Sequence, residues 1–160
     1  MTLKWRPVIA FFYCQNIPEG GWEERLAIEK KHKGAVRLFP IPCSGRIDGV
    51  HLLRALEEFA DGAIVATCPP GGCLNFEGNL WARKRAETSR KLIKSIGLEG
   101  ERILIVEGTA GKSLDLMGLA EGFLQKISLI GPSPVLYPKD MPPGTGVGFS
   151  LKGESVHDYC

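Results

Sequence analysis

The sequence predicts an α/β fold, in which a small doubly wound parallel sheet of about four strands carries helices on both faces and an extended C-terminal arm follows. Three observations lead to this prediction. Four short apolar runs have the length of strands, and the first of them shows no polar alternation, which is typical of a strand buried on both faces. Segments of helical length separate these runs, so right-handed β-α-β crossovers should connect the strands. Beyond residue 130 the chain is rich in Pro and Gly and shows no periodicity.

The four predicted strands are the most apolar segments of the chain, and they span residues 7–13, 35–41, 63–67 and 102–106. The second contains Pro40, which cannot donate to a strand ladder, so we expect this strand at an edge or ending early. In a flavodoxin-like or Rossmann-like sheet of this size the first strand is usually central, with the second and third on either side. Ligands bind near that switch point, at the carboxyl ends of the strands.

The predicted helices span residues 22–33, 49–60, 80–96 and about 114–127. Asn79 is the expected N-cap of the third helix and Gly97 its C-terminal stop. The expected core-facing residues are Val50, Leu53, Leu56 and Ala60 in the second helix, and Ala82, Ala86, Ile93 and either Ile96 or Leu92 in the third. We divide the chain into an α/β domain, residues 1–130, and a Pro/Gly-rich C-terminal arm, residues 131–160, which we expect to run along this domain or a partner.

Composition narrows the function. A net charge of +2 gives no basic footprint for nucleic acid. No stretch approaches the roughly 20 apolar residues of a membrane span, and the first residues lack a signal-peptide pattern, so we expect a cytoplasmic protein with no membrane insertion. In the reducing cytoplasm five cysteines are better explained as metal ligands or reactive groups than as disulfides.

Four of the cysteines belong to the predicted carboxyl edge of the sheet. Cys14, Cys43 and Cys68 each follow an apolar strand, and neighbouring strands lie about 4.8 Å apart. Cys73 ends a Pro-Pro-Gly-Gly bend that can fold back over the other three thiols. Such a four-thiolate site suits an iron–sulfur cluster or a structural zinc ion. The fold favours the cluster, because zinc usually staples small loops that lack a core, but reactive or merely buried cysteines stay open as alternatives.

The order of short motifs resembles one family. The chain contains CSGRID at residues 43–48, CPPGGC at residues 68–73 and EGN at residues 77–79 ahead of a basic helix. In this combination it is similar to the delta subunit of methyl-viologen-reducing hydrogenase, from about residue 8 to residue 134. The resemblance implies an iron–sulfur domain over residues 1–130 that holds a [2Fe-2S] cluster through Cys14, Cys43, Cys68 and Cys73.

The resemblance also implies a non-catalytic electron-transfer subunit of a hetero-oligomeric oxidoreductase complex. It would relay electrons from a hydrogenase, formate dehydrogenase or similar donor to a flavin-containing heterodisulfide-reductase-type subunit. Two positions depart from the family pattern, Ile17 where a second cysteine is common and Leu74 where His is common. A cluster-free adaptor of such a complex therefore stays open as an alternative, as does a zinc-binding domain.

Other functional interpretations rest on single features. Arg46 either places a positive charge near a cluster or donates hydrogen bonds to loop carbonyls. The basic helix face from Arg83 to Lys94 either docks an acidic partner or is an ordinary solvated surface. The GTAGKS turn at residues 108–113 is too short for a phosphate-binding P-loop. His51 follows the Cys43 turn on a helix, so we do not expect it to act as a base for that thiol. Cys160, the last residue, is expected to be incidental.

Overall fold

Four parallel strands form the sheet in a computed structural model that describes residues 5–138. The strands are β1 (Ile9–Cys14), β2 (Val36–Ile41), β3 (Gly62–Thr67) and β4 (Ile103–Glu107). Their order is β2-β1-β3-β4, with every neighbouring pair parallel. This confirms the predicted α/β fold, with the first strand central between the second and the third and the Pro40-containing strand at an edge.

The helices are α1 (Trp22–His32), α2 (Gly49–Glu58), α3 (Gly78–Ser95) and α4 (Leu116–Ile130), and short 3₁₀ turns span Ser44–Arg46 and Gly100–Arg102. One side of the sheet packs against α1 and α4 through Ile28 and Phe123, both of which are buried. The other side packs against α2 and α3 through Leu52 and Ile93. All residues of β1 and β3 are buried, which is why their sequences show no polar alternation.

Several local predictions on the helices were wrong. Asn79 is not an N-cap, since α3 begins one residue before it at Gly78. Val50 is 57% exposed although it was expected to face the core, and Leu92 and Ile96, one of which was expected there, are 50% and 70% exposed. Leu56 of α2 faces the core as predicted, but beside Leu52 and Ala55, and the predicted Ala82, Ala86 and Ile93 of α3 are buried. An error of one helix position turns a side chain by about 100°, which is enough to move it from the core to solvent.

A buried ion-and-carbonyl network ties residues 131–133 to the sheet. Asp61 is fully buried, and its carboxylate accepts hydrogen bonds from the backbone N–H groups of Val8 and Ser133, at 3.1 and 3.0 Å. Arg102 is 1% exposed and donates to the carbonyls of Asp61, Gly131 and Pro132. The first residues after α4 therefore pack on the domain, whereas residues 139–160 of the predicted arm lie outside the described part of the chain. Between residues 5 and 138, no helix is both long and apolar enough to cross a membrane.

Candidate functional site

The four cysteines expected to act as ligands lie at the carboxyl edge of the sheet or in loops that leave it. Cys14 is the last residue of β1, and Cys68 directly follows β3. Cys43 comes two residues after β2 and precedes the first 3₁₀ turn, while Cys73 lies in the loop that leads to α3. All four are free thiols. The structure arranges them as two pairs.

The inner pair consists of Cys14 and Cys68. Their Sγ atoms are 3.5 Å apart, with the Cys68 thiol donating to Cys14, and the two residues are 1% and 2% exposed. Burial raises the pKa of Cys68 to about 12, and the hydrogen bond with Cys14 and the nearby charges of Cys14, Cys73 and Cys43 act in the same direction. In the metal-free protein the Cys68 thiol therefore stays protonated at neutral pH.

The outer pair consists of Cys43 and Cys73. A Cβ atom placed on Gly78 would lie 2.5 Å from the Cys43 Sγ atom and 3.2 Å from the Cys73 Sγ atom, so both thiols lie against the first residue of α3. The Cys43 thiol also accepts a hydrogen bond from the backbone N–H of Gly45 at 3.4 Å. This pair lies nearer the surface, because Cys73 is only half-buried.

The electrostatic environment of the outer pair differs from that of the inner pair. Burial alone would raise the pKa of Cys73, but backbone hydrogen bonds from Asn75, Asn79 and Gly78 outweigh it, together with the interaction with the Cys43 thiol. The net effect lowers the pKa of Cys73. Backbone N–H groups at the start of a helix favour negative charge, so this position stabilises a thiolate.

Two glycines allow the Cys43 turn to reach α3. A Cβ atom on Gly45 would lie 2.7 Å from the Cα atom of Gly78, so the two backbones touch with no space for a side chain on either. Arg85 then fastens the turn, donating from one guanidinium nitrogen to the carbonyls of Gly45 and Ile47 at 2.7 and 2.8 Å. The carbonyl-bonding role considered for Arg46 therefore belongs to Arg85, while Arg46 itself is exposed.

Asn79 fastens the second cysteine loop. Its side chain is 2% exposed, and the amide donates to the carbonyls of Cys68 and Pro69 at 3.3 and 3.1 Å. From the sequence, Asn79 was expected only as a cap, and Arg85 was not distinguished from the other basic residues of its helix. Arg85 lies beside the buried stripe of α3 that includes Ala82, Ala86 and Ser89. The position of its cationic side chain next to the buried stripe of α3 is the sequence signal that could have distinguished Arg85 from the other basic residues.

One polar group beside the outer pair has no partner. Ser44, which follows Cys43, is fully buried, and within residues 5–138 its hydroxyl finds no hydrogen-bond partner. A buried hydroxyl without a partner is costly, so such a group in a native structure requires an explanation. The Ser44 hydroxyl is thus a hydrogen-bond donor next to the outer pair that no described residue uses.

Three other side chains near the cysteines in sequence, those of Ile17, Leu74 and His51, do not belong to either thiol pair. Ile17 is 5% exposed and packs in the same core cluster as Cys14, whereas Leu74 is 76% exposed. The Nδ1 atom of His51 accepts a hydrogen bond from the Asp48 N–H at 2.9 Å as part of a helix capping box. The His51 imidazole is therefore hydrogen-bonded at the N-terminus of its own helix.

The pairs do not merge into one compact group. Among residues 5–138, no three His, Cys, Asp or Glu side chains are placed to hold a metal ion. Instead, two thiols meet between the ends of β1 and β3, and two others meet at the start of α3. Within the described residues, the structure therefore brings the four cysteines together two at a time.

The stretch of chain that contains these pairs matches a known family. A family model described as methyl-viologen-reducing hydrogenase, delta subunit, matches residues 9–131, a range that includes both pairs. The chain belongs to this family. The family resemblance drawn from the cysteine motifs is therefore confirmed.

Relatives of this delta subunit family match over most of the chain. The iron-sulfur subunit of the F420-non-reducing hydrogenase vhu of Methanocaldococcus jannaschii is 26% identical over 129 residues, covering 81% of this chain and 96% of that protein. The iron-sulfur subunit of the F420-non-reducing hydrogenase of Archaeoglobus profundus is 28% identical, covering 82% and 96%. One subunit of the Ferredoxin:CoB-CoM heterodisulfide reductase of Methanosarcina mazei is 32% identical over 97 residues, which are 61% of this chain and 12% of that protein.

Proposed function

We propose that this protein is an electron-transfer subunit that carries a [2Fe-2S] cluster on Cys14, Cys43, Cys68 and Cys73. The observation that carries the proposal is the division of the four thiols into an inner and an outer pair. A [2Fe-2S] cluster has two irons, and four cysteines hold it, two to each iron. The inner pair would hold one iron of such a cluster and the outer pair the other.

The surroundings of the pairs fit such a group. The backbone N–H groups that lower the pKa of Cys73 favour a thiolate, which is the form that binds iron. The unpartnered hydroxyl of Ser44 gains an acceptor if a sulfide lies beside Cys43. When bound, the cluster accepts and releases a single electron. The protein's own residues bury the inner pair, shape the outer pair around Gly78 and hold both cysteine loops through Arg85 and Asn79.

We further propose that the protein works inside a hetero-oligomer in the cytoplasm. It relays electrons between a hydrogenase- or dehydrogenase-type donor and a flavin-containing heterodisulfide-reductase-like protein. The names of the relatives support both ends of this relay, since one belongs to a hydrogenase and another to a heterodisulfide reductase. The second of these carries the similar segment within a much longer chain, which supports a close association of the two activities.

Metal and sulfide analysis tests the cluster. We expect anaerobically purified protein to be brown, to hold about two irons and two acid-labile sulfides per chain, and to be bleached by dithionite. Cys73→Ser should lose the visible absorption, whereas Cys160→Ser, the matched control outside the described residues, should keep it. Protein that binds one zinc ion, or that stays colourless with freely titratable thiols after reconstitution, would show a zinc domain or a cluster-free adaptor instead.

A further inference from the structure

Three large apolar side chains in the Cys73 loop and the first turn of α3 are exposed to solvent. Leu74 follows Cys73 and is 76% exposed, Phe76 is 94% exposed, and Trp81 is 51% exposed. Phe76 and Trp81 line an open cleft of about 490 Å³ whose wall includes Cys43. We call Leu74, Phe76 and Trp81 the apolar patch. An exposed apolar patch of this kind marks an interaction site more often than a chance feature of the surface.

The backbone at Phe76 strengthens this interpretation. Its φ angle is +58°, in the left-handed region that side chains with a Cβ rarely adopt. Glycine or asparagine would suit that conformation better. The chain thus holds a phenylalanine in an unfavourable conformation and leaves it almost fully in water, so neither local structure nor core packing explains this residue. Strained residues of this kind cluster at functional sites.

Positive charge borders the apolar patch. Arg46 lines the cleft, and the Lys84 ammonium lies 4.9 Å from the centre of the Trp81 ring. Neither Arg46 nor Lys84 takes part in an ion pair within residues 5–138. The carboxylate of Glu77 lies on the same cleft, and Arg83 is paired with Glu107 at 3.5 Å. The uncompensated charges at the rim are therefore mainly cationic.

We propose that the apolar patch, with Arg46 and Lys84 at its rim, is the surface on which the redox partner docks, and that the partner presents apolar residues bordered by carboxylates. This proposal rests on the proposed function, because electron exchange with the cluster is the reason for a partner to dock at this surface. Of the two pairs, the outer one lies nearer the surface, since Cys73 is half-buried whereas Cys14 and Cys68 are 1% and 2% exposed. A partner seated on the patch approaches the outer pair closely, and charge complementarity orients it.

The first test measures binding of flavodoxin, an acidic one-electron flavoprotein, by surface plasmon resonance to both cluster-loaded and metal-free protein. Phe76→Asn removes the ring but suits the left-handed backbone, so the melting temperature should stay the same or rise. We expect its affinity for flavodoxin to fall by about tenfold, the size expected for a central aromatic contact. The matched control is Leu129→Asn on α4, where the side chain is 89% exposed on the other face of the sheet.

The second test measures how much the positive charge of Lys84 contributes to flavodoxin binding. Lys84→Glu should weaken flavodoxin binding several-fold at low salt and much less at high salt, because salt screens exposed charges. Lys126→Glu, at an exposed position of α4, is the control and should have little effect. Reduction of the loaded protein by flavodoxin hydroquinone, followed as bleaching in a stopped-flow instrument, should slow in parallel with binding.

The outcomes separate the docking surface from the cluster. If the protein holds no iron but Phe76→Asn still weakens flavodoxin binding, the proposed function fails and the docking surface stands. Equal binding by Phe76→Asn and Leu129→Asn, or no binding by the wild-type protein, overturns the docking surface whether or not the cluster is present. Lower melting temperature in Phe76→Asn would assign the ring a structural role, and loss of self-association in that variant would assign the patch to a second copy of this chain.

Discussion

Replacement of Gly78 by alanine tests the packing that forms the outer thiol pair. In an ordinary helix this change stabilises by about 0.5–1 kcal/mol, because alanine loses less backbone entropy than glycine. Here the new Cβ atom would lie 2.5 Å from the Cys43 Sγ atom, against a comfortable separation of about 3.5–4.0 Å. The thiol or the start of α3 must move, and overpacking of this kind costs about 1–3 kcal/mol. We expect a net loss of about 1–2 kcal/mol.

Gly122→Ala is the matched control, since Gly122 lies in α4 and a Cβ atom there meets nothing within 4 Å. That variant should gain about 0.5–1 kcal/mol. In thermal unfolding of metal-free protein, 1 kcal/mol shifts the midpoint by about 2–4 °C for a chain of this size. Gly78→Ala should therefore melt several degrees below the wild type and bind less iron after reconstitution, while Gly122→Ala melts slightly above it and binds the same amount. Similar shifts in both variants, with equal iron content, would refute the packing argument.

Two further predictions concern the thiols and their neighbour. In metal-free protein at pH 8, iodoacetamide should label Cys73 first and Cys68 last among the four site cysteines, because the pKa of Cys73 is lowered and that of Cys68 is raised to about 12. Labelling of Cys73 should slow only as the pH falls below its lowered pKa. Equal labelling of Cys73 and Cys68, measured by peptide mass spectrometry, would contradict this. Ser44→Ala removes a buried hydroxyl that has no partner within residues 5–138. If that hydroxyl donates to the cluster and bonds the reduced form more strongly by about 1 kcal/mol, its loss should lower the reduction potential by about 40 mV, whereas an unchanged potential with higher thermal stability would show that it has no acceptor.

The sequence predicted the sheet because its signals were strong and local. The uninterrupted apolar residues of β1 and β3 required burial on both faces, and Pro40 required an edge strand. The positions of individual side chains on helices were less predictable. Val50 and Ile96 are apolar yet exposed, and no local rule distinguishes an apolar residue in the core from one at its boundary.

The pairing of the cysteines depends on strand register, which the sequence does not reveal. Cys14 lies opposite Ile41 on β2, so Cys43 lies two residues beyond the level of Cys14. On the other side Tyr13 lies opposite Ala66, which brings Cys68 only one residue beyond that level. At about 3.3 Å per residue this difference is enough to separate Cys43 from Cys14. Long-range contacts then complete the outer pair, since Arg85 and Gly78 hold the Cys43 turn against α3.

The same strand register is one reason why we propose an iron–sulfur cluster rather than a structural zinc ion. Structural zinc requires four ligands around a single centre, with Zn–S distances of about 2.3 Å. To form it, the inner pair, held by the ends of β1 and β3, would have to converge with the outer pair, held by the start of α3. We expect that movement to disturb the backbone contact between Gly45 and Gly78 or the hydrogen bonds of Asn79 to the Cys68 loop. A two-iron cluster takes two thiolates at each end, so it needs less convergence than zinc. The ratio of iron to zinc bound by protein reconstituted with equal amounts of both metals and sulfide measures this preference directly, and we expect iron to predominate in the wild-type protein.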